Sequence, residues 1–246
     1  PFFSEFRHKL LSGESLLYSW DVGMGVNFAA LYAYYLASPF NWLLLLCPSS
    51  LIIEFMTYMI VFKSGLAGLS MAWYLKKHTG SQKFGACYFG VFYALSGYMA
   101  AYSWNIMWLD CIVLLPLILH GLERLVREKK GLFYCLMLGL SILSNYYISI
   151  MICLFMVIYY VALLFLEKRP GWKDCLHSFF LFGVYSLLAG ALAAAVLLPE
   201  IAALQSTASG DFNFPTTLEI YFPIFDMIAR HIGNVQVETG LDHWPN

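Results

Sequence analysis

The chain has 246 residues, of which 61% are hydrophobic, 18% aromatic and 12% charged, with a net charge of −1 and a mean hydropathy of +0.69. This composition excludes an ordinary soluble domain and predicts an integral membrane protein. Its expected partners therefore include the lipid bilayer. The chain has no basic stripe that could follow a phosphate backbone, so nucleic acid is not an expected partner.

The first 48 residues are predicted to lie outside the membrane as an extracytoplasmic segment. Apolar and charged side chains alternate at helical spacing and Gly13 follows them as a stop, which predicts a short amphipathic helix on the membrane surface. The apolar side comprises Phe2, Phe3, Phe6 and Leu10, and the charged side comprises Glu5, Arg7, His8 and Lys9.

Asp21 lies in the next part of this segment, within the string YSWDVGMGVN at residues 18–27. A loop carboxylate on the outer face could act as a general base on a hydroxyl group, which makes Asp21 a candidate catalytic residue. The alternative is a solvated aspartate in a glycine-containing turn.

Residues 49–199 are predicted to form a transmembrane domain of about six helices. Three clusters of basic residues separate the apolar segments, and the positive-inside rule places these clusters in the cytoplasm. Residues 1–48 and 200–246 then face outward, and the predicted fold is an all-α, polytopic membrane protein with outer loops and amphipathic helices. The predicted spans are residues 49–75, 84–102, 107–126, 131–143, 147–166 and 175–198.

The stretch from Gly131 to Leu166 has 36 residues without a charge, interrupted by the polar cluster Ser144 to Tyr147. As one helix it would be about 54 Å long, against a hydrocarbon core of about 30 Å. Basic residues flank both of its ends, so the chain must turn back at the polar cluster. The first arm is about 20 Å long and too short to cross alone, which predicts that Asn145 lies below the outer surface in a recess.

The outer hairpin between the second and third predicted spans carries aromatic rings, an amide and a carboxylate. For Asp110, a helix-capping role and a catalytic role are both open. If the hairpin lies beside the polar cluster at the mouth of the recess, the two loops form a platform for a sugar. The candidate platform comprises Trp104, Asn105, Asn145, Tyr146 and Tyr147, with Asp110 as its carboxylate.

Three further charged residues are candidates for binding a substrate. Lys63 stands near the middle of the first span, where a charge costs about 2.5 to 3.5 kcal/mol, and a functional and a structural role are both open. Glu54 is nine residues away on the opposite helix face, so it is not the expected partner of Lys63. Glu200 ends the last span, and Arg230 could pair with a lipid phosphate or anchor a helix to headgroups.

Several long strings of unusual composition resemble the YfhO family of bacterial membrane proteins, and the resemblance covers nearly the whole chain. They are YSWDVGMGVN, AYYLASPFN, SGYMAAYSWNIMWLD, SNYYISIMIC, LLAGALAAAVLLPE and FDMIARHIGNVQVETGLDHWPN. The resemblance implies a GT-C type glycosyltransferase that moves a sugar from a polyprenyl-phosphate donor to a cell-envelope polymer, such as lipoteichoic acid, on the outer face. Residues in matching strings are Asn105, Asp110, Asn145, Tyr146, Glu200 and Arg230.

The resemblance also implies an acidic catalytic residue in the first outer loop, which we expect upstream of Pro1. The chain begins without methionine, so we expect a fragment of a longer protein. Lys63 or Arg230 is the candidate cation for the departing lipid phosphate. No cofactor is predicted; the sequence offers no ligand cluster for a divalent metal, and metal dependence stays open.

Two other functions compete with the enzyme. A transporter or flippase for lipid-linked sugars would also place polar residues and a broken helix at membrane depth. A non-catalytic membrane assembly subunit would use the small residues Ala86, Gly90 and Ala94, whose four-residue rhythm lets another helix approach closely.

Overall fold

The structure, a computed structural model, describes residues 1–80, 84–166, 171–205 and Phe225. These residues are mainly helical, which confirms the all-α class. The helices are α1 (Phe2–Ser12), α2 (Phe28–Leu31), α3 (Ile52–Thr79), α4 (Gly85–Ala94), α5 (Gly97–Tyr102), α6 (Leu109–Glu128), α7 (Leu132–Ser144), α8 (Tyr146–Leu166), α9 (Trp172–Leu192) and α10 (Ala194–Gln205). A short antiparallel hairpin pairs β1 (Tyr18–Ser19) with β2 (Val26–Asn27).

The N-terminal amphipathic helix is α1, and it ends as predicted at Gly13, whose φ of 71° is left-handed. Two residues of the predicted charged side, Glu5 and Lys9, are buried. The hairpin covers them: the Ser19 hydroxyl donates a hydrogen bond of 2.5 Å to Glu5 Oε1. The Lys9 ammonium lies 5.5 Å from the centre of the Phe28 ring. Polar partners and an aromatic face therefore replace the water that these charges would otherwise need.

After the hairpin the chain forms a bent pair of apolar helices, within the segment that the sequence predicts to be extracytoplasmic. The first arm is Phe28–Leu36 and the second, a 3₁₀ helix, is Pro39–Leu46, with an angle of 101° between them. The bend occurs at Ser38 because Pro39 starts a new helix and disfavours helical backbone in the residue before it. Together the arms are long and apolar enough for a broken span or a re-entrant loop.

Within the described residues, three helices are long and apolar enough to cross a membrane, or four if the bent pair counts as one. These three are Ser49–Thr79, Tyr146–Leu166 and Trp172–Leu192. The predicted number of six spans is therefore not confirmed. Predicted span 84–102 is divided into α4 and α5, and span 175–198 is interrupted at Ala193. The third predicted span corresponds to α6, which carries several charges and runs without interruption through Pro116.

The longest uncharged stretch is interrupted at the predicted place. Asn145 has extended backbone, with φ −163° and ψ 111°, and separates the 13-residue α7 from the 21-residue α8. Its side-chain Oδ1 accepts a 3.0 Å hydrogen bond from the backbone N–H of Ile148. Asn145 therefore caps α8 and satisfies one of the amide groups that a helix start leaves unpaired.

Helix α6 lies at the centre of the bundle and contacts α3, α7 and α8. Its apolar face, including Ile118, Leu122 and Leu125, is fully buried in the main hydrophobic core. Helices α3 and α4 pack closely: a Cβ atom at Gly90 would lie 2.6 Å from the Gly68 carbonyl oxygen. The predicted close approach of another helix to the second span is confirmed at Gly90.

Candidate functional site

Lys63 and Asp110, which the sequence analysis considered separately, form one buried ion pair. The Lys63 Nζ atom lies 2.6 Å from Asp110 Oδ2, and the two side chains are 0% and 3% exposed. Lys63 also donates to Ser38 Oγ at 3.3 Å and to the carbonyl oxygen of Ile106 at 3.1 Å. Ser38 in turn donates to Asp110 Oδ1 at 3.0 Å. The ammonium group thus has three acceptors, and the pair is closed to solvent.

This pair shows how deep the start of α6 lies. Lys63 follows Ile52, the first residue of α3, by 11 positions, which is about 16 Å along the helix axis. Asp110 is in the first turn of α6. Helix α6 therefore begins inside the bundle, beyond the neighbouring end of α3. The bent pair occupies the space above it, with Ser38 at the bend contacting Asp110.

The interruption between α7 and α8 lies at the same level as the start of α6. The Cys111 thiol lies 3.6 Å from the carbonyl oxygen of Asn145. Asn145 is fully buried, and its side-chain amide donates to the carbonyl oxygen of Tyr34 in the bent pair at 3.0 Å. Non-helical backbone at this depth is thus covered by protein, as a recess in a membrane protein requires. We call this end of the bundle the Asn145 end.

A chain of ring contacts runs across the Asn145 end, and we call it the aromatic arc. Trp108 stacks on Tyr147 with ring centres 6.1 Å apart, which joins the outer hairpin to the polar cluster. Tyr34 of the bent pair contacts Tyr146 at 5.9 Å and Tyr147 at 6.4 Å. Tyr102 contacts Trp108 at 6.2 Å. The arc comprises Tyr34, Tyr35, Tyr98, Tyr102, Trp108, Tyr146 and Tyr147.

Polar atoms without partners lie on or beside the arc. Within the described residues, the Asn105 Nδ2 and Tyr98 hydroxyl atoms are buried and make no hydrogen bond. Trp108 Nε1 is buried beside the Tyr34 side chain without a well-formed hydrogen bond. Glu200 on α10 is buried beside the Tyr146 hydroxyl, and its Oε2 atom also lacks a partner in the part of the chain that the structure describes. Each such atom costs about 1 to 3 kcal/mol unless a ligand or water bonds to it. Their concentration here indicates a binding site for a polar ligand.

Two of the candidate residues lie away from this group, and a third is outside the described residues. Asp21 is exposed in the turn of the hairpin, where its backbone N–H donates to Ser19 Oγ. Trp104 is 71% exposed, and its indole N–H donates to the carbonyl oxygen of Ala101 rather than contacting the arc. Arg230 lies outside the described residues. The structure thus brings together the other seven candidates, namely Lys63, Asn105, Asp110, Asn145, Tyr146, Tyr147 and Glu200.

An apolar groove of about 790 Å³ runs along α3, α4 and α5. At one end it is lined by Ser103, just before the outer hairpin, and it continues along Gly68 and Gly90 to Ala72 and Cys87. The groove therefore leads from the neighbourhood of the arc along the lipid-facing side of the bundle. Such a groove can hold an extended hydrocarbon chain, because its lining lacks charged side chains.

Another buried carboxylate, missed by the sequence analysis, lies at the opposite end of the bundle, which we call the Glu123 end. Glu123 Oε1 accepts hydrogen bonds from the hydroxyl groups of Tyr74 at 2.7 Å and Tyr159 at 2.6 Å. His78 Nδ1 lies 2.7 Å from the same oxygen, and Arg127 lies 3.4 Å from Oε2. Glu123 thus ties α3, α6 and α8 together. Its i,i+4 spacing to Arg127 was the available sequence signal.

No three His, Cys, Asp or Glu side chains within the described ranges lie close enough to hold a metal ion. The predicted absence of a cofactor remains a prediction. The side chains of the site can offer aromatic faces to a sugar ring, orphaned donors to hydroxyl groups, and the Glu200 carboxylate to a proton.

Comparison with known proteins gives one family and one curated relative. The relative is the "Uncharacterized protein YfhO" of Bacillus subtilis (strain 168), which is 24% identical over 199 residues. This match covers 75% of the chain but only 23% of the relative, so the chain spans less than a quarter of that protein's length. No solved structure matches. Residues 1–242 match the family described as "Bacterial membrane protein YfhO", and the chain belongs to this family of membrane proteins.

Proposed function

We propose that the whole protein is a membrane glycosyltransferase that takes a sugar from a polyprenyl-phosphate donor and transfers it to a cell-envelope polymer on the outer face. The observation that carries this proposal is the group of orphaned polar atoms along the aromatic arc. A sugar combines apolar ring faces with hydroxyl groups that need hydrogen-bond partners. The arc offers both kinds of contact at one place.

The sugar and the polyprenyl chain of the donor match the aromatic arc and the apolar groove, which are neighbours in the structure. The sugar would lie against Trp108 and Tyr147 at the rim of the recess, with hydroxyl groups bonded to Asn105 Nδ2 and Trp108 Nε1. The polyprenyl chain would follow the apolar groove of about 790 Å³ along α3, α4 and α5. A donor bound in this way keeps its hydrocarbon chain at the lipid-facing side while its head reaches the recess.

In the transfer step, an acceptor hydroxyl oxygen bonds to the anomeric carbon as the bond from that carbon to the phosphate oxygen breaks. The hydroxyl proton goes to a carboxylate, and polyprenyl phosphate leaves with the electron pair. Among the buried carboxylates of the described residues, Glu200 has an oxygen without a partner. We therefore assign proton acceptance to Glu200 among the described residues. Lys63 and Asp110 have a structural role below the aromatic arc in this proposal, because their charges are already paired with each other.

The departing phosphate needs a cation. Lys63 is 0% exposed and donates to three protein acceptors, so this geometry does not present it to a phosphate. Arg230, outside the described residues, remains the proposed partner, since a guanidinium group can make two parallel hydrogen bonds to phosphate oxygens. The envelope polymer, lipoteichoic acid-like in this proposal, is the acceptor.

A flippase for the same lipid is the second candidate, and the 101° bent pair supports it because transporters use broken helices at membrane depth. The test is transfer by the purified full-length protein in vesicles, measured with labelled polyprenyl-phosphate sugar and lipoteichoic acid. We expect transfer, and a loss of about 10²-fold or more in Glu200→Gln. Glu54→Gln, which changes an exposed carboxylate, is the control.

The possible outcomes separate the candidates. No transfer with any polyprenyl-phosphate sugar overturns the enzyme proposal. Movement of labelled donor across the vesicle membrane without transfer favours the flippase. Equal activity of Glu200→Gln and the unaltered protein removes Glu200 from the transfer step.

A further inference from the structure

A second cavity, of about 470 Å³, lies at the Glu123 end of the bundle, where α3, α6 and α7 meet. It has a different character from the arc, because its lining combines basic side chains with aromatic rings. Its lining residues are Trp73, Lys77, His120, Arg124, Glu128 and Phe133. Lys77 follows Lys63 by 14 positions in α3, so this cavity is about 21 Å along the helix from the ion pair.

The charges around this cavity leave a positive excess. Arg124 contacts Glu128 at 3.4 Å, and Lys130 contacts the same carboxylate at 3.3 Å. The Lys130 hydrogen bond lowers the pKa of the Glu128 carboxyl group, which keeps it ionised. Lys77 is exposed and has no ion pair among the described contacts. Arg124 and Lys130 thus share the Glu128 carboxylate, and Lys77 adds a further positive charge to the lining, so an added negative group would be attracted.

The aromatic wall holds a polar atom that has no partner. The His120 ring lies edge-on to Trp73, with ring centres 4.8 Å apart, and at 6.1 Å from Phe133. Its Nδ1 atom is buried and makes no hydrogen bond within the described residues. A ligand oxygen that enters between the two rings could bond to this imidazole.

We propose that this cavity binds the phosphate headgroup of an anionic membrane lipid. Arg124 and Lys77 supply the charge, and His120 supplies a hydrogen bond. The apolar faces of Trp73 and Phe133 suit the glycerol and upper acyl region, since tryptophan collects at the membrane interface. The cavity lies at the ends of three helices, where a bilayer has its headgroups. A lipid bound there connects α3, α6 and α7 and does not take part in sugar transfer.

The test measures lipid binding to the full-length protein in detergent by native mass spectrometry, with phosphatidylglycerol and phosphatidylcholine as probes. We expect phosphatidylglycerol to be retained at least fivefold more strongly. Lys77→Gln and Arg124→Gln should each weaken its retention about fivefold, which is the effect of about 1 kcal/mol per basic residue near an anionic surface. Lys173→Gln, which removes an exposed charge that does not line the cavity, is the matched control.

Glu128→Gln keeps the test decisive if the other variants lose stability. It removes the one negative charge of the cavity, so we expect it to strengthen phosphatidylglycerol binding. A purely structural Arg124–Glu128 pair would instead give both variants the same loss of stability and no change in lipid preference, which overturns the proposal. Equal retention of both lipids also overturns it. Displacement of the lipid by millimolar inorganic phosphate would assign the cavity to free phosphate and would contradict the lipid assignment.

Discussion

The two ends of the bundle each bury a carboxylate beside tyrosine hydroxyl groups, yet the two groups are bonded very differently. At the Glu123 end, Glu123 accepts from two tyrosines and contacts a histidine and an arginine. At the Asn145 end, Glu200 lies beside Tyr146, but its Oε2 atom has no partner among the described residues. A saturated buried carboxylate holds helices together, whereas an unsaturated one is costly unless a ligand completes it.

Asp110 resembles Glu123 in that its carboxylate has hydrogen-bond partners on both oxygens, although it lies at the Asn145 end. We expect the largest effect in the whole chain from breaking the Lys63–Asp110 pair: Asp110→Asn or Lys63→Met should each cost about 3 to 5 kcal/mol, because one buried charge is left alone. Thermal unfolding of the purified protein measures this cost. Activity should fall together with folded yield.

The double variant Lys63→Met with Asp110→Leu is the control, because it removes both charges. It should recover most of the lost stability. If Asp110→Asn instead unfolds like the unaltered protein but transfers no sugar, Asp110 acts directly on the substrate and does not belong with the carboxylates that hold helices together.

Glu123→Gln should have the next largest effect. It keeps the shape of the side chain but loses the charge to which Tyr74, Tyr159 and His78 bond, so we expect a loss of about 1.5 to 3 kcal/mol. Unfolding in increasing denaturant is the measurement, with Glu54→Gln as the exposed control. A loss equal to that of the control would show that the network at the Glu123 end does not hold the helices.

Gly90→Ala tests the close approach of α3 and α4 and leaves the residues of the Asn145 end and the Glu123 end unchanged. The new Cβ would lie 2.6 Å from the Gly68 carbonyl oxygen and 2.9 Å from Ala72 Cβ, so the helices must move apart, at about 1 to 3 kcal/mol. Gly183→Ala, with nothing within 4 Å, should be neutral or slightly stabilising. Equal unfolding temperatures for the two variants would contradict this packing.

Glu200→Gln should have the smallest effect on stability, within about 0.5 kcal/mol, because little in the protein depends on its free oxygen. The measurement is the same thermal unfolding used for Asp110→Asn. A loss as large as that of Glu123→Gln would show that Glu200 is structural, and the contrast between the two ends would disappear.

The helix interruption at Asn145 could be predicted from the sequence because length and flanking charge both constrain the chain there. The partner of Lys63 could not be predicted, because Asp110 lies at a helix start and Lys63 three turns inside another helix. They meet only because α6 begins deep in the bundle, under the bent pair. The sequence predicts an extracytoplasmic segment over residues 1–48 and gives no sign of the bent pair, since the break at Ser38 divides its apolar stretch into two short arms.

The role of Glu123 was hidden for a different reason. It lies among basic residues near the end of α6, where a carboxylate is expected to be solvated. Only the packing of α3 and α8 against this end brings Tyr74 and Tyr159 to it. Contacts between helices that are distant in sequence leave no local pattern, so reasoning along one helix at a time could not find them.

Donor binding at the Asn145 end is tested most directly by the stabilisation that a polyprenyl-phosphate sugar gives the full-length protein. At a donor concentration of 100 times its Kd, we expect about 2.7 kcal/mol of added stability in the unaltered protein and in Glu123→Gln. In Glu200→Ala and Trp108→Leu the added stability should fall by half or more. Equal stabilisation of all four proteins, or none in any, would contradict the assignment of the aromatic arc and its orphaned polar atoms to the donor.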